Sequence, residues 1–401
     1  MQVTHSTEPI IIAGAGPVGL FTAMLLVDAG YRVVLLEKNS GLAMDMRAST
    51  FHPATLDLFE PLGLAEPLTA RGSITQGWQY MVHGTKNHAV FDLELISDLT
   101  AHPYRLQCEQ FHFTGLALEY LAANPLFEIR FSHELMALEG NEDELHVSVR
   151  HPAGEYRVST PWLIAADGGR STVRKSLGLA FTGGVFPKTS ITLVLDYPFQ
   201  DDVPGLLGVN YVWTDGGHYS LMQIRDLWRF SYSPDQDQSV EEALSEPVAQ
   251  SHVQAIFPRR QPYTLLQRNH YTLHQRCLDS FRAGRVLFAG DSAHLNSPAG
   301  GMGMNSGIHD AYCLVEHLLP VLDGADDALL DRYSRRRRTV ALEEVQRLSA
   351  RNYHWHRETN PAKRAEIWRE LQDIVSDRDK TRKFLLNSSM IRSRQREIEI
   401  D

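Results

Sequence analysis

The feature that most constrains this chain lies near its start, where Ile10–Ala13 (IIIA) runs straight into Gly14-Ala15-Gly16-Pro17-Val18-Gly19. Leu20, Ala23, Met24 and Val27 follow at helical spacing, and Tyr31–Leu36 (YRVVLL) is a second apolar strand ending at Glu37. Strand, glycine turn, helix and strand make a βαβ unit, which commits this end of the chain to a parallel sheet. The glycines of G-x-G-x-x-G permit a tight turn, close approach of backbone to a pyrophosphate, and close packing of helix on strand. The helix start offers phosphates its free N–H groups and the positive end of its dipole. Glu37, eighteen residues beyond Gly19, is placed to accept hydrogen bonds from a ribose hydroxyl pair. Together these features predict a dinucleotide site.

The stretch Pro9–Val27 carries no charge, which raises a membrane reading. Its glycines and proline, the Asp28 that ends it and the lack of a basic segment before it favour a buried strand and helix. No integral membrane segment and no targeting segment are expected. Acidic residues outnumber basic ones, 49 to 39, for a formal charge of −10, which argues against nucleic acid as a partner. The three cysteines, Cys108, Cys277 and Cys313, form no Cys-x-x-Cys, so a reducing, cytoplasmic setting is expected.

A length of 401 residues favours two or three compact units. Residues 52–64 read as a short helix ending near Gly63, and Gln110–Leu121 as another. Glu128–Phe131 and Leu145–Val149 read as strands, and Trp162–Ala166 as a buried strand running into Asp167. Between about 181 and 275 the chain turns β-rich: Leu206–Thr214, Tyr219–Arg225 and Leu227–Tyr232, with Asp215-Gly216-Gly217 a hairpin signal. A meander of antiparallel strands is the simplest reading. Arg285–Ala289 returns to the apolar-strand pattern before a glycine-rich loop and a helix, and the tail from Asp326 is helical and charged.

Two further motifs complete the pattern. Asp167-Gly168-Gly169-Arg170-Ser171-x-Val173-Arg174 follows one apolar strand, and Gly290-Asp291-Ser292-Ala293-His294-x3-Pro298-x4-Gly303-Met304-Asn305 follows another. An aspartate at a strand end can hold a ribityl hydroxyl, while amides opening the next helix face an anionic site. With G-x-G-x-x-G, D-G-x-x-S-x-V-R and G-D-A-x-H-x-x-x-P in this order, the sequence resembles the class A flavin monooxygenases of the 4-hydroxybenzoate hydroxylase type. Ser292 stands where that family usually has alanine. The resemblance covers most of residues 9–345.

The resemblance implies an α/β fold: a Rossmann-like FAD-binding domain, an inserted antiparallel-sheet substrate domain and a helical C-terminal tail. The expected division is 1–75, 105–180 and 280–350 for FAD, 76–104 and 181–279 for substrate, and 351–401 for the tail. Gly14, Ala15, Gly16, Pro17, Gly19, Glu37 and Lys38 would hold the ADP half of FAD, and Gly290 and Asp291 its ribityl or pyrophosphate region. Pro298 and Gly303 would sit near the flavin ring, with the amides of Met304 and Asn305 facing N1 and O2. Asp167 and Arg170 would touch FAD and the reduced nicotinamide. Arg47 resembles the family's flavin-contacting arginine. Gln107 and Gln110 both fit the family's glutamine, with Gln110 preferred as the helix opener.

The implied reaction uses NADPH or NADH and O2 to hydroxylate a phenolic or amino-aromatic compound through a flavin C4a-hydroperoxide. Substrate contacts should come from the meander. Ser220, Met222 and Ile224 share one face of their strand, while Tyr219, Leu221, Gln223 and Arg225 share the other. Tyr211, Trp213 and His218 flank the hairpin turn, and Arg229 resembles the family arginine near the moving flavin. Arg229 and Tyr211 are the catalytic candidates, and Trp213, His218 and Met222 the substrate contacts. A monomer or homodimer is expected, with no thioredoxin-like extension. Alternatives are a flavin-dependent reductase or other oxidase of the same fold, or a FAD-binding protein without turnover. No Trp-x-Trp-x-Ile-Pro halogenase signature occurs.

No metal site is expected: there is no His-Glu-x-x-His and no Cys–His cluster, and His354-x-His356 alone is weak. Arg335–Arg338 reads as a solvated helix face rather than a nucleic-acid patch, although Tyr333-x3-Arg337 also matches the family's helix. There is no G-x-S-x-G nucleophile elbow.

Overall fold

A computed structural model describes residues 8–44, 48–140, 144–187, 189–235 and 237–401. Arg47 therefore lies outside the described residues. Its first sheet has six strands in the order Arg282–Ala283, Val286–Phe288, Leu163–Ala165, Ile10–Ala13, Val33–Glu37 and Phe127–Phe131. All neighbours are parallel except the first pair, and Ile12 aligns with Ile164 on one side and Leu35 on the other. The inner strands are buried throughout, as their unbroken apolar runs require of a sheet covered on both faces. Helices Pro17–Asp28, Gln110–Ala122 and Met302–Leu322 pack around it.

This strand order does the essential work. Three parallel strands that are neighbours in space, ending at Ala13, Ala165 and Phe288, lead into the glycine loop, the Asp167 turn and the Gly290 turn. Motifs more than a hundred residues apart in sequence thus meet at the carboxyl ends of adjacent strands, where open α/β sheets bind ligands.

The second large sheet has seven strands: Leu265–Tyr271, Ser190–Leu195, Leu227–Tyr232, His218–Ile224, Val209–Trp213, Gly77–Val82 and His88–Asp92. It is antiparallel save at one place, where Val209–Trp213 runs parallel to Gly77–Val82. The meander thus gains two strands from far upstream, and strands so distant in sequence need no hairpin between them. Period-two alternation splits its faces. Ile191, Leu193, Tyr219, Leu221 and Phe230 are buried with Ala249 and Val253 of helix Glu246–Ile256, while Thr192, Ser220, Met222, Arg229 and Ser231 face a cavity.

Helices Arg347–Arg357, Pro361–Val375, Arg378–Ser388 and Ile391–Glu399 complete the chain. They share a core with the sheet: Trp78, Phe91, Trp355, Phe384 and Leu385 are buried together, and the Trp78 and Phe384 rings both stack on Phe91, with centroids at 4.3 and 4.6 Å, and lie 5.8 Å from each other. Trp213 belongs to this core. Its indole N–H donates to the carbonyls of Trp355 and His356, both at 3.1 Å. A substrate contact was expected of it; it shares the strand face of Tyr211, but helix Arg347–Arg357 covers its end of that face and keeps it from the cavity.

Candidate functional site

One cavity of about 650 Å³ joins the ends of the parallel strands to the polar face of the seven-stranded sheet. At its first end, Gly14 takes φ +102°, and a Cβ there would lie 2.5 Å from the Ala166 carbonyl oxygen. A Cβ on Gly19 would lie 2.0 Å from the Gly14 oxygen, so helix and loop touch backbone to backbone. Gly16 caps the helix without a side-chain bond, with Pro17 in its first turn, which leaves the opening N–H groups to a ligand. Glu37 lines the cavity and also braces the loop: Oε2 accepts from the Ala15 N–H at 2.9 Å and Oε1 from the Asn39 N–H at 2.9 Å.

Asp167, in the next turn, accepts at Oδ2 from the N–H groups of Thr172 (2.7 Å) and Val173 (3.2 Å). Its buried Oδ1 has no partner among the described residues, and burial pushes its carboxyl up from the usual range. Arg174 ties this turn to the third: one terminal nitrogen donates to the Gly169 carbonyl (2.7 Å), the other to that of Ser292 (2.8 Å). The Ser292 hydroxyl lies 2.5 Å from the Ala165 carbonyl and 2.9 Å from that of Ala289, bridging two strand ends where alanine could not.

Behind Asp291 runs a buried ionic chain. Asp310 accepts from the Gly290 N–H (2.9 Å) and His294 Nε2 (2.8 Å) at Oδ2, and from Arg337 Nε (2.6 Å) at Oδ1. Arg337 continues to Glu397 and to the Ser306 carbonyl. Burial opposes ionisation of Asp310, but the His294 and Arg337 charges outweigh it and hold the carboxyl well below its usual range. The solvated face expected for Arg335–Arg338 is therefore corrected at Arg337, whose side chain is fully buried because it neutralises two carboxylates at once.

The other end of the cavity is built from Tyr211, His218, Ser220, Met222, Arg229 and neighbours on the sheet. Cross-strand pairing sets Tyr211 opposite Ser220 and Met222 opposite Arg229. Arg229 donates to Ser49 Oγ at 2.6 Å. Burial lowers the pKa of Arg229 and drives His356, another lining residue, well below the ordinary imidazole value, so His356 is neutral at pH 7. The carboxylates of the lining, Glu37, Glu134, Asp167 and Asp291, all sit outside the sheet end, which carries Arg105, Arg229 and Arg357.

These features fit FAD. Gly16 leaves open space where a Cβ would stand, the helix N–H groups are uncapped, and Asp167 Oδ1 is an orphaned buried acceptor on the cavity wall.

Comparison with known proteins agrees. A family model described as "FAD binding domain" matches residues 7–348. Para-nitrophenol 4-monooxygenase of Pseudomonas sp. (strain WBC-3) is 32% identical over 98% of both chains. The chain belongs to the class A FAD-dependent aromatic monooxygenases. Further relatives of the monooxygenase include 6-hydroxy-3-succinoylpyridine 3-monooxygenase of Pseudomonas putida, 29% identical over 94% of this chain and 96% of that one. The crystal structure of p-nitrophenol 4-monooxygenase from Pseudomonas putida DLL-E4 superposes with a TM-score of 0.89 at 33% identity, covering 94% of this chain and 96% of that one. The monooxygenase is thus an FAD-dependent aromatic hydroxylase with NAD(P)H as reductant.

Most residues singled out from the sequence of this monooxygenase come together on the cavity: Gly14, Ala15, Gly16, Pro17, Glu37, Lys38, Gln110, Asp167, Arg170, Gly290, Asp291, Pro298, Gly303 and Met304 at one end, Tyr211, His218, Met222 and Arg229 at the other. Gln107 is buried away from it, accepting from Thr50 Oγ1 at 2.8 Å. Arg105 and Gln107 stand two apart on one strand and so share a face, but only Arg105 lines the cavity, Gln107 being taken up by Thr50, while Gln110 opens its helix there. Asn305 spends its side chain on the His52 N–H and the Thr50 and Gly301 carbonyls, fixing the loop rather than lining the cavity. Sequence reasoning missed Arg105, His356, Arg357 and the Asp310 chain. It also found no Cys–His cluster, whereas the fold sets ligand atoms of Cys108, Glu109 and His112 within 4.8 Å of one another. Burial pushes that thiol up to about 12. No helix among the described residues is long and apolar enough to cross a membrane.

Proposed function

We propose that this monooxygenase hydroxylates a small phenolic or amino-substituted aromatic compound, of the size and polarity its relatives' names describe. The observation that carries the reading is the single cavity with the three strand-end motifs at one end and a polar sheet face at the other. Residues 1–75, 105–180 and 280–350 would hold FAD, 76–104 and 181–279 present the substrate surface, and 351–401 seal it. When bound, FAD supplies the reduction by NAD(P)H and the activation of O2. The Gly16–Pro17 helix start and Asp291 bind its phosphate and ribityl parts, Gln110 and the Met304 and Asn305 amides orient its ring, and Asp167 and Arg170 position the nicotinamide.

The cation Arg229 at the sheet end favours the ionised form of a phenol, which enriches the ring in electrons. Neutral His356 can accept a hydrogen bond from the phenol O–H, but burial and the neighbouring cations keep it from holding the proton itself. The helices beyond residue 351 exclude water from the reacting ring. The three cysteines are free and buried, which supports the cytoplasmic setting we propose; the choice between monomer and homodimer is one light scattering makes. The test is NAD(P)H oxidation across a panel of phenols and aminobenzoates, with products quantified. We expect at least one compound to accelerate oxidation with a hydroxylated product matching the NAD(P)H consumed. Acceleration with hydrogen peroxide alone for every compound would overturn the reading.

A further inference from the structure

Buried cations in proteins are nearly always paired, and the sheet end of this cavity breaks that rule. Among the described residues, Arg105, Arg229 and Arg357 line it without a carboxylate partner. Two have other engagements. Arg229 donates to Ser49 Oγ at 2.6 Å, and Arg357 donates to Ser233 Oγ at 3.3 Å and lies over the Tyr353 ring. Arg105 is different. It is only 3% exposed, its Nε has no partner among the described residues, and its guanidinium lies 4.7 Å from the Trp78 ring centroid, engaging the Tyr211 side chain beside Tyr80. It forms part of the wall between the main cavity and a recess of about 10 Å³, room for one water.

A rigid guanidinium held on an indole face beside Tyr211, with its Nε donor unspent, is built for a planar group with two oxygens. We infer that Arg105, with Tyr211, receives an anionic two-oxygen substituent of the aromatic substrate, a carboxylate or the nitro group of a nitrophenolate. That makes Arg105 a specificity-determining residue that holds the ring by its far end. The inference rests on the aromatic-hydroxylase reading above and names its substrate class.

The test titrates oxidised, FAD-loaded enzyme by flavin absorbance with 4-hydroxybenzoate, 4-nitrophenol and the neutral 4-hydroxybenzamide. The first two ligands separate carboxylate from nitro. The wild type should bind one of them at least tenfold more tightly than the amide. Arg105→Met should abolish that gap while shifting the amide less than threefold, and Arg105→Lys should restore part of it. If the amide binds as well as both others, or Arg105→Met keeps the gap, the inference is wrong. Should Arg105→Met fail to retain FAD, the wild-type comparison and Tyr211→Phe, expected to narrow the gap at least threefold, decide the matter. Hydroxylation of plain phenol with no such gap would overturn this subsite alone, whereas no hydroxylated product from any phenol would overturn the broader reading.

Discussion

Replacing Arg337 with methionine keeps most of the aliphatic stem and removes a guanidinium with no exposure to solvent. Asp310 and Glu397, at 0% and 2% side-chain exposure, then lose their shared counter-charge. Breaking a buried ion pair by deleting one partner costs about 3–5 kcal/mol, since the remaining charge stays desolvated. With an unfolding entropy of about 2.1 cal/mol/K per residue, 401 residues give roughly 0.84 kcal/mol/K, so the melting temperature should fall by roughly 4–6 °C. The pH dependence gives a second signature. In the wild type the Asp310 pKa is depressed, so its contribution is present above the unfolded value near ~3.9 and fades as pH falls through the folded one. In Arg337→Met only His294 still opposes burial, so the depression is weakened and the variant's carboxyl titrates at a higher pH than the wild type's. The gap between the two proteins, measured by urea unfolding followed through tryptophan fluorescence, should be widest near pH 7 and narrow as the pH falls towards the unfolded carboxylate value near ~3.9. Arg337→Met/Glu397→Gln should recover part of the loss. A gap below about 1 kcal/mol at pH 7, or one that does not change with pH, would refute the reasoning.

Other substitutions probe the cofactor end. Gly19→Ala drives a Cβ into the Gly14 carbonyl at 2.0 Å, so purified variant should carry less than roughly a tenth of the wild-type FAD, since even 1.4 kcal/mol of displacement is a decade in affinity; full flavin loading would show that the loop yields. Asp291→Ala should weaken FAD binding roughly tenfold, from about 1–3 kcal/mol of unmet hydrogen bonding, and unchanged flavin content after long dialysis would remove Asp291 from the site. Ser292→Ala, which installs the family's usual residue, should cost about 0.5–1.5 kcal/mol of stability at unchanged flavin content; a loss of flavin would mean that the hydroxyl shapes the site itself. Anaerobic stopped-flow should show flavin reduction by NAD(P)H accelerating at least tenfold with a productive substrate, and Arg229→Ala, which frees Ser49, should blunt that stimulation. Full stimulation in the variant would leave Arg229 a strand residue only.

The cofactor end was largely legible because its signals are local. A strand, a glycine turn and a helix occupy consecutive residues, so Gly14 to Gly19 could be read at sight, as could Asp167 and Asp291 at the ends of apolar runs. The reading failed where partners are remote. Nothing near Arg337 announces Asp310 or Glu397, and a run of four basic residues has the composition of a solvated face. Gln107 and Gln110 are told apart only by their neighbours: Gln107 ends a strand paired with Thr50–Phe51 and Ser73–Thr75 and is taken up by Thr50, whereas Gln110 opens the next helix at the cavity. Trp213 misled because alternation puts it on the face of Tyr211, yet its end of that face is covered by helices more than a hundred residues downstream. Arg105 escaped notice because its meaning is the absence of an acid around it, which only assembled neighbours reveal.

The link from Arg337 to Glu397 has a bearing on the order in which the protein is made. Synthesis runs from the amino end, so the glycine loop and both large sheets leave the ribosome before Glu397 does. Until then Arg337 faces Asp310 with no second carboxylate, and Asp310 is the group that holds the Gly290 amide in place. A nascent chain can therefore assemble its Rossmann-like layer early yet lack a settled Gly290–Asp291 turn. Tight capture of flavin should be a late, post-translational event, and chains stalled before residue 397 should emerge as colourless protein even when flavin is abundant.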